Sequence, residues 1–157
     1  MSTPSARPSD RLAALGLALP AASKPVAAYV PARRCGSLLY VSGQLPMLAG
    51  QMLASGPVPS AVSAEAAKAA ARQCALNAMA AAAAEVGSID AIKGVVRVGA
   101  WVASDAGFTG QPGIVNGASE LLVEVFGEAG KHARAAVGTN VLPLGATVEV
   151  EVLFELA

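Results

Sequence analysis

The sequence is short of charge and of aromatic side chains. Of its 157 residues only 14% are charged and 4% are aromatic, and eleven basic residues balance eleven acidic ones. A nucleic-acid-binding chain needs positive charge facing the phosphates or stacking surfaces for the bases, so this composition predicts no nucleic-acid partner. Hydrophobic residues make up 54% of the chain, which leaves too few polar side chains to cover a small monomer. We therefore expect a homo-oligomer.

Cysteine and histidine are scarce as well. Cys35 and Cys74 lie far apart and form no CxxC pair, and His132 is the single histidine. This usage is typical of two reduced thiols in a cytoplasmic protein. Cys74 is expected in the core and His132 on the surface of a strand. Without an HExxH motif, paired cysteines or a carboxylate cluster, the sequence predicts no metal site.

Long apolar runs are also missing, and no membrane partner is expected. The alanine-rich run at 75–84 is too short and too weakly hydrophobic to cross a bilayer. Residues 11–23 begin with a basic residue and an apolar run, as a signal peptide does, but Gly16 and Pro20 interrupt the run. We interpret the segment as a short helix that ends near Leu19, with Ser9 or Asp10 as its N-cap.

The pattern of the remaining chain alternates between strands and helices. Residues 28–46 are typical of two strands around a turn at 35–37, and Pro31 favours an edge position for the first. Further elements follow: a loop over 47–60, a helix from the N-cap Ser63 to Gly87, a strand over 92–104, a helix over 114–130, and strands near 132–140 and 146–155. The order β-β-α-β-α-β-β predicts an α+β fold with two helices packed on one face of a sheet.

The domain boundaries follow from the same pattern. Residues 1–9 are rich in serine, proline and alanine and are predicted to be disordered. Residues 10–25 are predicted to form the short helix and a linker. A single domain is predicted over 26–157, a length that can bury a core.

Arg134 is the most informative polar residue, because it stands alone among alanines and valines in a predicted strand. If this strand pairs with the last one as an antiparallel hairpin, Arg134 lies beside Glu149 or Glu151. One interpretation is a simple cross-strand ion pair. The other is a substrate clamp, since small neighbours leave room for a carboxylate to bind the guanidinium through two parallel hydrogen bonds. A nearby glutamate could then position a water molecule.

Other candidate residues lie at the ends of predicted elements. Ser42 and Gly43 close a strand, and a ligand can approach the backbone of Gly43 because it has no side chain. Asn116 stands at the predicted start of a helix, where it acts either as an N-cap or as an amide that faces a ligand. Tyr29 is expected as a half-buried strand aromatic unless it lines such a site.

Three segments in order resemble the Rid/YjgF family of imine/enamine deaminases, which older descriptions call translation inhibitors or L-PSP endoribonucleases. They are "YVPARRCGSLLYVSGQLP", "VNGASELLVEVFGEAGKHARAAVG" and "LPLGATVEVEVLFEL". The resemblance covers about residues 26–157. The extra N-terminal helix and the longer loop over 47–60 resemble one branch of the family.

The resemblance implies a chorismate-mutase-like α+β fold and a homotrimer with a barrel-like centre and active sites between subunits. By position, Arg134 matches the arginine that binds the substrate carboxylate, and Glu149 matches the carboxylate that positions water. Four further matches line the cleft: Tyr29, Ser42, Gly43 and Asn116. The departure falls at Ala136, where many deaminases carry cysteine; its backbone can still line the site.

The function implied by the resemblance is hydrolysis of reactive 2-imino or 2-enamino acids to 2-keto acids and ammonia, without metal or cofactor. Two alternatives remain open. One is a trimer that binds a small carboxylate, such as a 2-keto acid, without turnover. The other is RNA cleavage or translation inhibition, which the neutral charge of the chain disfavours.

Overall fold

The computed structural model describes residues 6–22 and 28–157. Its elements are α1 (Pro8–Ala14), β1 (Ala32–Cys35), β2 (Leu38–Gln44), β3 (Met47–Leu48), β4 (Gln51–Met52), α2 (Ala64–Val86), β5 (Ile92–Ala103), α3 (Gln111–Phe126), β6 (Ala133–Thr139) and β7 (Val148–Leu156). The predicted order is confirmed. The predicted loop over 47–60 additionally contains the small β3–β4 hairpin.

The main sheet of the described residues has five strands in the order β1-β2-β7-β5-β6. β1 lies at one edge, as Pro31 predicted. β6 lies at the other edge and pairs in parallel with β5, whereas β7 pairs antiparallel with both β5 and β2. The predicted hairpin of the last two strands is therefore wrong. The helix α3 connects β5 to β6 as a crossover, which places those two strands side by side and parallel.

The two long helices cover one face of this sheet, as predicted. β7 alternates strictly. Its buried residues Val148, Val150, Val152 and Phe154 face the helices, and the alternate residues Glu149, Glu151, Leu153 and Glu155 face away. Small side chains let the helices approach closely. Gly117 of α3 lies against the backbone carbonyl of Lys68 in α2, where a β-carbon would overlap it.

The short helix α1 begins earlier than predicted. It runs from Pro8 to Ala14 rather than to Leu19, and Arg7 is its N-cap. Asp10 is inside the helix, and its carboxylate accepts a hydrogen bond from the Arg7 backbone N–H at 3.3 Å. The last two residues of the segment predicted to be disordered, Pro8 and Ser9, belong to this helix. The first five residues of that segment, and residues 23–25 of the predicted linker, lie outside the described part of the chain.

Ser9 anchors this helix to the domain instead of capping it. Its backbone N–H and its hydroxyl each donate to the Asp90 carboxylate, at 2.9 and 2.7 Å. Across the described ranges, no helix is both long enough and apolar enough to cross a membrane.

Asn77 is a buried polar residue of α2 that fastens the chain just beyond β2. Its side chain is only 7% exposed. Its amide nitrogen donates to the backbone carbonyls of Leu45 and Met47, at 3.0 and 2.9 Å. Its amide oxygen accepts from Gln73. The helix therefore fixes the path of the backbone directly after the Ser42–Gln44 segment.

We expect Asn77→Ala to lower the free energy of unfolding by about 1–3 kcal/mol, because it removes the two hydrogen bonds that a buried amide donates to the Leu45 and Met47 carbonyls. Urea denaturation followed by circular dichroism measures the change. Asn140→Ala is the matched control, since Asn140 is exposed and its loss should change stability by less than about 0.5 kcal/mol. Equal stability of the two variants would contradict this role for Asn77.

Candidate functional site

Arg134 lies on the helix-facing side of the edge strand β6. It is in register with the buried Val98 of β5, and paired residues of parallel strands point to the same face. Its Nη1 donates to Asn116 Oδ1 at 2.8 Å and to Ser119 Oγ at 3.2 Å, and its Nη2 donates to the Pro112 carbonyl at 3.4 Å. Three acceptors of α3 thus hold one part of an exposed guanidinium.

Asn116 is not the N-cap of α3. The helix begins five residues earlier, at Gln111, with Gly110 as N-cap. Pro112 in the first turn explains the early start, since proline suits that position. Asn116 therefore presents its amide from the second turn, and this side chain contacts Arg134. The interpretation of Asn116 as an N-cap is therefore wrong, and its amide oxygen instead accepts a hydrogen bond from Arg134.

Two residues of this cluster, Ser119 and His132, were not predicted from the sequence as site residues. Ser119 Oγ lies 2.9 Å from Nε2 of His132, and His132 Nδ1 lies 2.6 Å from the Gly130 carbonyl. His132 directly precedes β6 and is half-buried, so its prediction as a surface strand residue is wrong. The one sequence signal that could have singled out His132 is that it is the single histidine of the chain. A cavity of about 270 Å³ is lined by Ser119, Lys131, His132 and Arg134.

Ser42 and Gly43 lie where the pairing of β2 with β7 is interrupted. The register shifts between Val41 and Gln44, which indicates a bulge. The Ser42 hydroxyl donates to the Val30 carbonyl at 2.7 Å and its backbone N–H donates to the Pro31 carbonyl at 2.9 Å. These bonds hold the residues next to Tyr29 against the bulge.

Tyr29 belongs to a groove on the face of the sheet opposite the helices. It is 52% exposed, more than a half-buried strand aromatic would be. The groove has a volume of about 450 Å³. Its lining includes Tyr29, Tyr40, Ser42, Arg97 and Glu151.

Glu149 projects from β7 on that same outer face, opposite Trp101 in the neighbouring strand. A β-carbon on residue 43 would collide with the Glu149 carboxylate, so the absence of a side chain at Gly43 makes room for it. Partial burial of the carboxylate raises the pKa of Glu149, and the negative charge of Glu151 raises it further. A carboxylate with a raised pKa is a stronger base toward water than an exposed one.

Glu151 has a different partner. Its carboxylate accepts from Arg97 Nη1 at 2.8 Å, in an ion pair between β7 and β5. The predicted ion pair of Arg134 with Glu149 or Glu151 is therefore wrong, because β5 lies between β6 and β7. The cross-strand pair is made by the arginine of β5 instead.

The candidate residues fall into two clusters on opposite faces of one sheet. We call Arg134 and Asn116 the arginine half-site, and Tyr29, Ser42, Gly43 and Glu149 the glutamate half-site. Ala136 belongs to the strand of the first, and its side chain packs on the hydrophobic core. The sheet itself separates Arg134 from Glu149 within one chain.

For the activity proposed below, Gly43→Ala is expected to lower turnover by roughly tenfold, since the new methyl group displaces the Glu149 carboxylate from the bulge. The free energy of unfolding should change little, because the displaced atoms are the far end of a flexible side chain. Steady-state kinetics and urea denaturation of the same preparation separate the two effects. Full activity in this variant would show that the position of the carboxylate is not used.

The described residues hold no group of three or more histidine, cysteine, aspartate or glutamate side chains arranged for a metal ion. Cys74 is buried in the core, as predicted, and burial raises the pKa of its thiol. Its Sγ lies 3.7 Å from the Val148 carbonyl. Cys35 is exposed in the turn between β1 and β2.

Two helices packed on one face of a mixed five-stranded sheet make this an α+β protein. The chain belongs to the YjgF family: the family model described as "YjgF/chorismate mutase-like, putative endoribonuclease" matches residues 9–156.

Relatives extend over nearly the whole chain. Protein TCP17 of Trypanosoma cruzi is 42% identical over 153 residues, which are 97% of this chain and 96% of that one. The crystal structure of Atu1372 from Agrobacterium tumefaciens, described as of unknown function, is 43% identical with a TM-score of 0.87, over 94% of this chain and 91% of that one.

A further solved relative carries a functional description. A structure from Shewanella oneidensis, described as a "putative endoribonuclease", is 34% identical with a TM-score of 0.92. The match covers 96% of this chain and 100% of that one. Similarity over such lengths confirms the family and the fold inferred from the three sequence segments.

Proposed function

We propose that the protein hydrolyses 2-imino and 2-enamino acids to 2-keto acids and ammonia. The observation that carries the proposal is the guanidinium of Arg134. Its two Nη atoms donate hydrogen bonds to acceptors of α3, whereas Nε has no hydrogen-bond partner among the described residues. An oriented guanidinium with donors to spare suits a carboxylate, which 2-imino acids carry next to the reacting carbon.

The reaction needs one water molecule and no group beyond this chain's own residues. Glu149 takes a proton from the water as the water oxygen bonds to the imine carbon, the π bond between carbon and nitrogen breaks, and Glu149 passes that proton to the nitrogen. The product is a carbinolamine. Its hydroxyl proton then passes through Glu149 to the amine nitrogen as the carbon–nitrogen bond breaks, so that ammonia leaves and the carbonyl of the 2-keto acid forms. Such hydrolysis is already fast in water, so correct orientation of the substrate and the water is sufficient.

We propose further that each active site joins the arginine half-site of one subunit to the glutamate half-site of another, in a homotrimer. The two half-sites face away from each other across one sheet, so they meet when a second copy packs there. The exposed apolar side chains on the outer face support such packing, among them Val30 and Tyr40, each about half exposed. The backbone around Ala136 would line the junction.

The experiment that tests this function is competition for an imine. An amino-acid oxidase produces 2-imino acids in the presence of semicarbazide, and the protein is expected to lower the yield of semicarbazone. Small and bulky amino acids are tried in turn, beside an RNA cleavage assay at the same protein concentration. RNA cleavage without imine hydrolysis would contradict this proposal and favour the endoribonuclease function that the descriptions of the relatives name. Binding of a 2-keto acid without turnover would leave a carboxylate-binding protein.

The shared site predicts complementation between inactive subunits. Arg134→Ala and Glu149→Gln subunits, unfolded together and refolded at equal amounts, are expected to regain about a quarter of wild-type activity, because one in four random subunit junctions carries both intact half-sites. Each variant refolded alone is the control. Absence of recovery in mixed oligomers, verified by differently tagged subunits, would contradict a site shared between chains.

A further inference from the structure

We propose that Ser119 and His132 form a hydrogen-bonded relay that orients Arg134 and thereby sets the preference for carboxylate-bearing substrates. The inference deepens the proposed function and rests on it. It concerns two positioning residues that the Rid/YjgF resemblance did not assign.

The direction of every hydrogen bond in the relay follows from its two ends. The Gly130 carbonyl can only accept, so Nδ1 of His132, 2.6 Å away, carries a proton. In the neutral ring Nε2 is then an acceptor, and it lies 2.9 Å from Ser119 Oγ. The Ser119 hydroxyl therefore donates to His132.

At the other end, a guanidinium can only donate. Nη1 of Arg134 lies 3.2 Å from Ser119 Oγ, so a lone pair of that oxygen receives it. The histidine thus turns the serine hydroxyl so that its lone pairs face Arg134. Asn116 accepts the other proton of the same nitrogen at 2.8 Å, and together the two acceptors fix the plane of the guanidinium.

The surroundings keep the ring neutral. Partial burial lowers the pKa of His132, and the positive charge of Arg134 acts in the same direction, against the bond to Gly130, which raises it. A neutral ring is required, because the cation would donate from Nε2 and compete for the lone pairs of Ser119. Removal of the relay leaves Arg134 held by Asn116 and the Pro112 carbonyl alone, so that the plane of its guanidinium is less firmly fixed.

The test compares two substrates in the wild type and in Ser119→Ala and His132→Ala. One is a 2-imino acid, and the other is an uncharged imine of similar size made by an amine oxidase. We expect kcat/KM on the 2-imino acid to fall by roughly tenfold or more, mainly through KM, as for loss of one hydrogen bond to a charged group. The uncharged imine should react at an unchanged rate, since it does not use Arg134.

Rescue and coupling complete the test. His132→Gln, whose amide oxygen can accept from Ser119, should recover most of the preference. In an Arg134→Ala background, His132→Ala should have no further effect on the 2-imino acid, because the relay acts only through the arginine. Equal losses on both substrates, or independent effects of the two substitutions, would overturn the relay and leave the deaminase intact.

A failure of the proposed function is recognised separately. If the wild type hydrolyses neither imine, binding of 2-oxobutyrate is measured by calorimetry for the same variants. Binding that needs Arg134 and weakens about tenfold in His132→Ala would support the relay without catalysis. Absence of both turnover and binding in the wild type would overturn the relay together with the function.

Discussion

Arg134→Ala is expected to lower kcat/KM for 2-imino acids by several hundredfold. Two charge-assisted hydrogen bonds to the substrate carboxylate contribute about 3–4 kcal/mol together, and each 1.4 kcal/mol corresponds to a factor of ten. Because the side chain is exposed and its removal opens no buried cavity, stability should change little. The semicarbazide competition assay and urea denaturation measure the two quantities.

Two further variants define the cause. Arg134→Lys keeps the positive charge but loses the planar donor pair, so an intermediate loss of roughly tenfold is expected. Arg72→Ala is the matched control, since Arg72 forms an ion pair with Glu124 at 2.7 Å and lies in neither half-site. A loss in Arg72→Ala as large as in Arg134→Ala would show that the effect is not local.

Glu149→Gln is expected to lower kcat by about a hundredfold or more, because an amide of the same shape no longer accepts a proton from water. The wild type itself should lose activity as the pH falls through the raised pKa of Glu149, at a higher pH than an ordinary glutamate would cause. A pH–rate profile of both proteins, with the same substrate, measures this dependence. Unchanged kcat in the variant would remove Glu149 from the mechanism.

The same substitution should make the protein more stable at neutral pH. Since the pKa of Glu149 is raised in the folded state, the fold favours the protonated form, and this contribution to stability is lost as the pH rises through that pKa. The glutamine removes the cost of ionising the carboxylate. Glu155→Gln is the matched control on the same face of β7, where Glu155 bonds to Lys93 at 2.7 Å and should gain no stability from neutralisation.

The amino-acid sequence by itself determined the elements and the family. Alternating and continuous hydrophobic patterns are local properties, so they located the strand from Ile92, the helix capped by Ser63 and the last strand. Three short segments in order identified the family, because the order and spacing of such segments are properties of the chain itself. Arg134, Glu149 and Asn116 were singled out in the same way.

Pairing and contacts were decided only by the tertiary structure. Strand neighbours depend on where a crossover helix packs, and α3 places β6 beside β5 instead of beside β7. This pairing puts Arg134 and Glu149 on opposite faces of the sheet. It also lets Glu151 form an ion pair with Arg97 and brings His132 within hydrogen-bond distance of Ser119. Such contacts join residues from separate elements, and no local pattern along the chain records them.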